Sequence, residues 1–287
     1  EIQGDLMERQ IYKRILKDRL FKGMIILLSF LTTLPLFFIL FHLIKNGISA
    51  LSFEFIFNLP KPVGEKGGGI ANAILGTFIL IIISSFFSIP IGISVGMYLS
   101  ENKDKKLSKI ASFVVDILQG IPSIVLGIIA YLWIVKPAGH FSAFSGGIAL
   151  AIMMLPVIIK STEETLKLIP ESLKEAALSL GAPYYKTVLL VILPAGLSGI
   201  ITGILIGVSR IAGETAPLLF TAFGNPYMNL NLFKPIESLP HLIYNYAKSP
   251  FSEWHQKAWA ASFILILIVF TLNILSKLVV KRWKVRF

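Results

Sequence analysis

The sequence predicts an all-α, polytopic membrane protein with about six spanning helices. Three observations lead there. Of 287 residues, 55% are hydrophobic and only 15% are charged, whereas soluble domains are typically about a quarter charged. The mean hydropathy of +0.76 reflects more apolar sequence than a core of this size needs. The apolar residues also gather in six runs, each near the length that crosses roughly 30 Å of hydrocarbon at about 1.5 Å per residue.

These runs fall at residues 23–45, 70–99, 110–135, 143–160, 188–222 and 258–280. They form one transmembrane domain, 23–280, between an N-terminal tail, 1–22, and a C-terminal tail, 281–287. The second and fifth contain prolines (Pro90; Pro194 and Pro217) and are expected to bend. The fourth is short, and its inner end is expected to run on into the next loop.

Nineteen of the 27 Lys and Arg residues lie in the two tails and in the loops after the second and fourth runs; seven lie in the other loops. The positive-inside bias therefore places both termini in the cytoplasm, and an even number of spans agrees. The net charge of +11 thus reads as membrane orientation, not nucleic-acid binding. The chain has no cysteine, which excludes disulfides and thiolate metal sites. His42, His140, His241 and His255 show no metal-ligand spacing. Residues 1–20 are too charged for a cleavable signal peptide.

Two outer loops are substantial. Residues 46–69 carry Pro60, Pro62 and Gly67-Gly68-Gly69, which is turn chemistry. Within 223–257, Ile236, Leu239, Leu242, Ile243 and Tyr246 fall at helical spacing. They suggest a short helix on the membrane or a partner, or else a packed re-entry loop.

The inner loop 161–187 is the most informative. Ser161 and Glu164 have capping-box spacing. Pro170 suits a helix first turn. Leu173, Ala176, Ala177 and Leu180 then form an apolar face, opposite Glu171, Lys174 and Glu175. Gly181 and Pro183 end the helix. The two alanines leave a shallow surface for another protein's groove, and an ordinary interfacial helix fits the pattern equally well.

Arg210 and Glu214 lie inside the fifth run, where ionised groups are costly and normally face protein or water. On a helix they share an arc with Gly199, Gly203 and Gly207, and glycines four apart allow close helix approach. One reading is a structural i,i+4 pair. The other places Arg210 on a substrate path, with Glu214 holding it, because a guanidinium fork matches an oxyanion. Lys160 either snorkels to the headgroups or receives an anion leaving inward. Asp116 and Gln119 read as interface residues, and Ser123 as repair beside Pro122.

Glu175-Ala176-Ala177, Gly181 and Val191-Ile192-Leu193-Pro194 resemble the EAA signature of ABC importer permeases, with Val191 where that family usually has Ile. The resemblance implies the type I importer permease fold. It also implies that Glu175, Ala176, Ala177 and Gly181 belong to the coupling helix that docks on a cytoplasmic ATPase. The run from Arg210 to Ala222, together with Gly120 to Val125, Gly67 to Ile70 and Ile243 to Ala247, is similar to the PstA-type permeases of phosphate-specific ABC importers. That similarity implies transport of inorganic phosphate across a prokaryotic inner or plasma membrane. The implied partners are a PstC-type permease, PstB-type ATPase subunits and a PstS-type phosphate-binding protein. ATP and Mg would then sit on the partner, with no cofactor in this chain. The sequence contains no G-x-x-x-x-G-K-[ST] loop, so no ATP hydrolysis is expected from it. Alternatives are a molybdate or sulfate permease, against which the residues after Pro217 argue, a secondary transporter, for which no convincing inverted repeat exists, and a non-transporting scaffold.

Overall fold

The computed structural model describes residues 2–65 and 67–282; the expected 281–287 tail lies mostly outside them. Five helices are long and apolar enough to cross a membrane, or six if one sharply bent pair is a single span. Helix α1 is Ile2–Ser49 and α2 is Phe53–Phe57. Helix α3, Ala71–Glu101, is the second span. Helices α4, Lys106–Gly120, and α5, Ser123–Ala138, are the bent pair. Helix α6, Ala143–Lys167, is followed by the short α7, Glu171–Ser179. Helix α8, Tyr184–Ala212, leads into the single turn α9, Ala216–Leu219. Helices α10, Leu239–Ala247, and α11, Ser252–Arg282, complete the chain.

Helix α6 is the central post. Gly92 and Gly96 of α3 face Ile158 and Thr162, and Gly147 of α6 faces Ile83; Cβ atoms on these glycines would approach those side chains to between 2.3 and 2.6 Å. Leu80, Leu150, Met154, Ile158 and Leu218 are almost completely buried around this seam. Ser142 and Ser145 cap α6 reciprocally, each side chain bonding the other's backbone N–H. That is where the capping box lies. Ser161 and Glu164, expected to start a helix, sit inside α6, because the apolar spacing continues through Ile158, Ile159, Thr162 and Leu166. The fourth span thus ends at Lys167, not at 160, and the inner loop is correspondingly shorter.

The third run is not one straight helix. The axes of α4 and α5 differ by 108°. Ile121 and Pro122 are both extended (ψ 130° and 137°), because a residue before proline is driven from the helical region and proline donates no hydrogen bond. Gly127 of α5 lies against Pro217 of α9, close enough that a Cβ would meet Pro217 Cα at 2.6 Å. Two interrupted helices therefore meet beside α6.

Helix α1 is exposed along most of its length and meets α11 at its outer end, where the His42 ring is edge-on to Trp259 and Gly47 abuts Phe263. The two loops expected on the outer side fold together into a cap. Ile236, Leu239, Leu242 and Tyr246 are buried, so α10 packs inward against α3 and α11 instead of lying on the membrane. Thr77 Oγ1 accepts from Leu239 N at 2.9 Å, and Asn72 Nδ2 donates to Asn225 O at 2.7 Å.

Candidate functional sites at the inner helix and the α8 seam

Helix α7 begins after Pro170, its N-cap, and ends in a full Schellman motif: Gly181 N donates to Leu178 O and Ala182 N to Ala177 O. Gly181 has φ +81°, the left-handed region that favours glycine. No residue of α7 is buried. Glu175 and Ala176 are exposed, Ala177 is half-buried, and Leu180 is 89% exposed. The helix presents a shallow apolar strip that is left largely uncovered among the described residues. Its polar side is tethered: Lys174 Nζ pairs with Glu101 at the end of α3, and the Tyr184 hydroxyl donates to the same Glu101 oxygen. Partial burial opposes the charge on Lys174, but the hydrogen bond and the negative charge of Glu101 outweigh it and raise the lysine above its usual pKa. Sequence reading missed Glu101, since nothing in spacing links residues so far apart.

Along α8 the glycines form a seam with α6. Cβ atoms on Gly199, Gly203 and Gly207 would meet Thr165 Oγ1 at 2.3 Å, Ser161 Oγ at 2.1 Å and Met154 Cγ at 2.9 Å. Ser161 Oγ donates to Gly199 O at 3.2 Å. Met154 lies near the middle of α6, so Arg210, one turn beyond Gly207, sits near mid-depth of the bundle.

Arg210 does not join the seam. It emerges on the neighbouring exposed row with Thr202 and Ile206. The helix stops at Ala212, so Glu214 is off its axis and half-buried in the turn before α9. Among the described residues Arg210 has no ion-pair partner. The expected Arg210–Glu214 pair on a packed arc is thus corrected: Gly213 breaks the 3.6-residue register, and the fifth span does not continue helically to 222. An unpaired guanidinium at this depth is costly against lipid, so this face of α8 is built for water or another protein.

Lys160 is engaged within the chain. Its Nζ lies 2.8 Å from Asp116 Oδ1 and 3.9 Å from Glu163 Oε2, and donates to Ser112 Oγ at 3.0 Å. Glu163, 8% exposed, also pairs with Lys167. This network joins α4 to α6 and holds Lys160 among polar groups of its own chain. Asp116 is its partner, not only an interface residue. The i,i+3 and i,i+4 spacing of Lys160, Glu163 and Lys167 was legible; the partner across α4 was not.

A separate cavity of about 650 Å³ lies in the outer cap, between Pro60, Asn225, His241, Tyr246 and Trp254, away from Arg210. Among the described residues no His, Asp and Glu cluster could hold a metal ion.

Residues 88–285 match the model of the binding-protein-dependent transport system inner membrane component. The chain belongs to that family. The family match spans α4 to α11 with the inner helix, the glycine seam and Arg210, so these features belong to an ABC transporter permease, a multi-pass membrane subunit of a larger transporter with an ATPase and a substrate-binding protein. The chain is 42% identical over 250 residues, 87% of its length and 85% of the other's, to the phosphate transport system permease protein PstA of Yersinia pestis. It is 40% identical to the protein of that name from Pasteurella multocida, over 92% of this chain and 95% of the other. It is 33% identical to a probable PstA of Methanocaldococcus jannaschii, over 89% and 90%. Solved structures share the fold. An inward-facing MetNI methionine ABC transporter chain superposes with a TM-score of 0.65 at 21% identity, over 75% of this permease and 96% of that chain. A chain of a bacterial alginate ABC transporter gives 0.66 at 14%, over 92% and 95%.

Proposed function

We propose that this chain is the PstA-type permease of an ATP-driven importer of inorganic phosphate, with Arg210 on the translocation path. One observation carries the reading: an exposed guanidinium near mid-depth of a largely apolar bundle, with no ion-pair partner among the described residues. Its five-donor fork suits a tetrahedral oxyanion, and the phosphate permeases among the relatives name which one. The exposed row of α8 faces a PstC-type second permease, so that the two chains enclose a water-filled path lined in part by Arg210 and flanked by Glu214. Glu214 then tempers the local positive charge without clamping Arg210, which favours release over trapping.

The charge bias of the loops puts α7 and both termini in the cytoplasm. There the strip of Ala176, Ala177 and Leu180, with Glu175 beside it, fits a groove on PstB-type ATPase subunits, where ATP and Mg are bound and hydrolysed. The cap of outer loops meets a PstS-type phosphate-binding protein. Movement of α7 on ATP binding shifts the population between outward- and inward-open states.

The test is phosphate uptake by vesicles holding the complete complex with ATP. Wild type moves phosphate. Arg210→Gln keeps its ATPase subunits and its protein level but loses uptake, and Arg210→Lys retains part of it. Normal uptake by Arg210→Gln removes Arg210 from the path. A wild type that moves molybdate or sulfate but not phosphate overturns the substrate assignment and leaves the permease reading intact.

A further inference from the structure

We propose that Glu101, Lys174 and Tyr184 form a clasp through which the coupling helix drives span α3, giving ATPase motion a second route into the bundle beside the covalent chain. The inference rests on α7 being the helix that docks on the ATPase. Covalently, α7 continues only into α6 and α8. It has no buried residue of its own, so packing alone transmits little of its movement. The clasp supplies a directed link instead. Glu101 is the last residue of α3 and its side chain is only 15% exposed; Lys174 is 28% exposed. One carboxylate oxygen receives both the lysine ammonium and the tyrosine hydroxyl, and the ammonium also lies 5.0 Å above the Tyr184 ring. Three elements, α3, α7 and the start of α8, thus converge on one carboxylate.

What α3 does at its other end gives the clasp its purpose. This 31-residue helix reaches the outer cap, where Thr77 holds Leu239 N, Asn72 holds Asn225 O and Gly76 lies directly beneath the Glu237 carbonyl. The loop it holds follows the interrupted end of α8 that carries Arg210. A pull on Glu101 is therefore delivered along one unbroken helix to the outer side of the path. A polar cleft of about 270 Å³ runs beside the clasp, lined by Lys103, Asp104, Lys167 and Glu171. Water reaches the pair, so it can open and re-form within a transport cycle as an apolar seam could not.

Glu101 and Lys174 are positioning residues, and the decisive readout is phosphate moved per ATP hydrolysed in vesicles of the complete complex. Glu101→Gln and Lys174→Met should keep their ATPase subunits and continue to hydrolyse ATP while uptake per ATP falls about tenfold, a usual size for coupling between two elements. The exchanged pair Glu101→Lys/Lys174→Glu should recover most of it. Unchanged uptake per ATP in both single variants overturns the clasp. Because the chain lacks cysteine, one introduced pair can be joined selectively: Glu101→Cys/Lys174→Cys should be uncoupled as made and recoupled when a short bis-maleimide spacer joins the two thiols, a recovery that a misfolded variant would not show. Failure to recouple also overturns it. Glu175→Arg serves as the control; ATPase subunits that stay bound to it overturn the coupling-helix reading itself, a failure distinct from loss of the clasp.

Discussion

Replacing Gly203 by alanine should destabilise the permease, although alanine is the better helix former. A Cβ at this position would lie 2.1 Å from Ser161 Oγ and 2.3 Å from Ser161 Cβ. The second atom is fixed to the α6 backbone, so rotation of the serine cannot relieve the clash and α8 must move away. Overpacking of this kind costs about 1–3 kcal/mol, against a helix-propensity gain of about 1 kcal/mol. The net loss is up to about 2 kcal/mol. Ser161→Gly removes both clashing atoms and leaves Ser161 Cα at 3.7 Å, an ordinary contact. It also removes the bond from Ser161 Oγ to Gly199 O, a loss of about 1 kcal/mol. In that background Gly203→Ala should change sign and stabilise by about 1 kcal/mol. The four proteins form a double-mutant cycle, read by reversible unfolding in mixed micelles with a denaturing detergent, and the coupling should reach about 1–3 kcal/mol. If Gly203→Ala has the same effect with and without Ser161, the close approach of α8 to α6 is wrong.

Two further outcomes follow from local geometry. Gly181→Ala forces a side chain into the left-handed region at φ +81°, costing about 1–2 kcal/mol; the Ala182 amide, which bonds Ala177 O, should exchange hydrogen faster while the bundle's unfolding midpoint barely moves. Asp116 is 57% exposed, so Asp116→Asn should cost less than about 1 kcal/mol. Lys160→Met should cost more, about 2–3 kcal/mol, because it strips one of two cations from the buried Glu163 carboxylate; equal losses in detergent unfolding would contradict the network.

Much of the architecture was legible in order along the chain. Hydropathy located the spans, because bilayer thickness sets a length that composition must meet. The inner helix could be bounded to within a residue or two, since Pro170, Gly181 and Pro183 act on their own backbone and need no tertiary partner. The glycine row at 199, 203 and 207 marked a close helix contact for the same reason: only a missing Cβ permits it. Other features were hidden. The run over 110–135 is apolar on both sides of Ile121–Pro122, and hydropathy carries no direction, so a 108° turn left the average unchanged. The loop helix α10 had two readings from its spacing, and burial of Leu239 and Leu242 against α3 and α11 chose between them. The fifth run looked helical through Glu214 because a lone glycine does not always end a helix; here the helix stops at Gly213, and Pro217 beyond it packs against Gly127 of α5.

Sequence alone determined that this chain lives in a membrane, how many apolar runs it has, where a short amphipathic helix ends, and which family signature that helix carries. These are local or additive properties, set by side-chain transfer energies and by backbone preferences of Gly and Pro. Tertiary structure decided the charged partnerships that cross from one helix to another. Arg210 and Glu214 are near in sequence yet do not pair with each other, while Lys160 finds Asp116 and Lys174 finds Glu101 across other helices. Coulomb attraction and desolvation depend on distances between groups and on what excludes water around them, and neither quantity exists until the helices have packed.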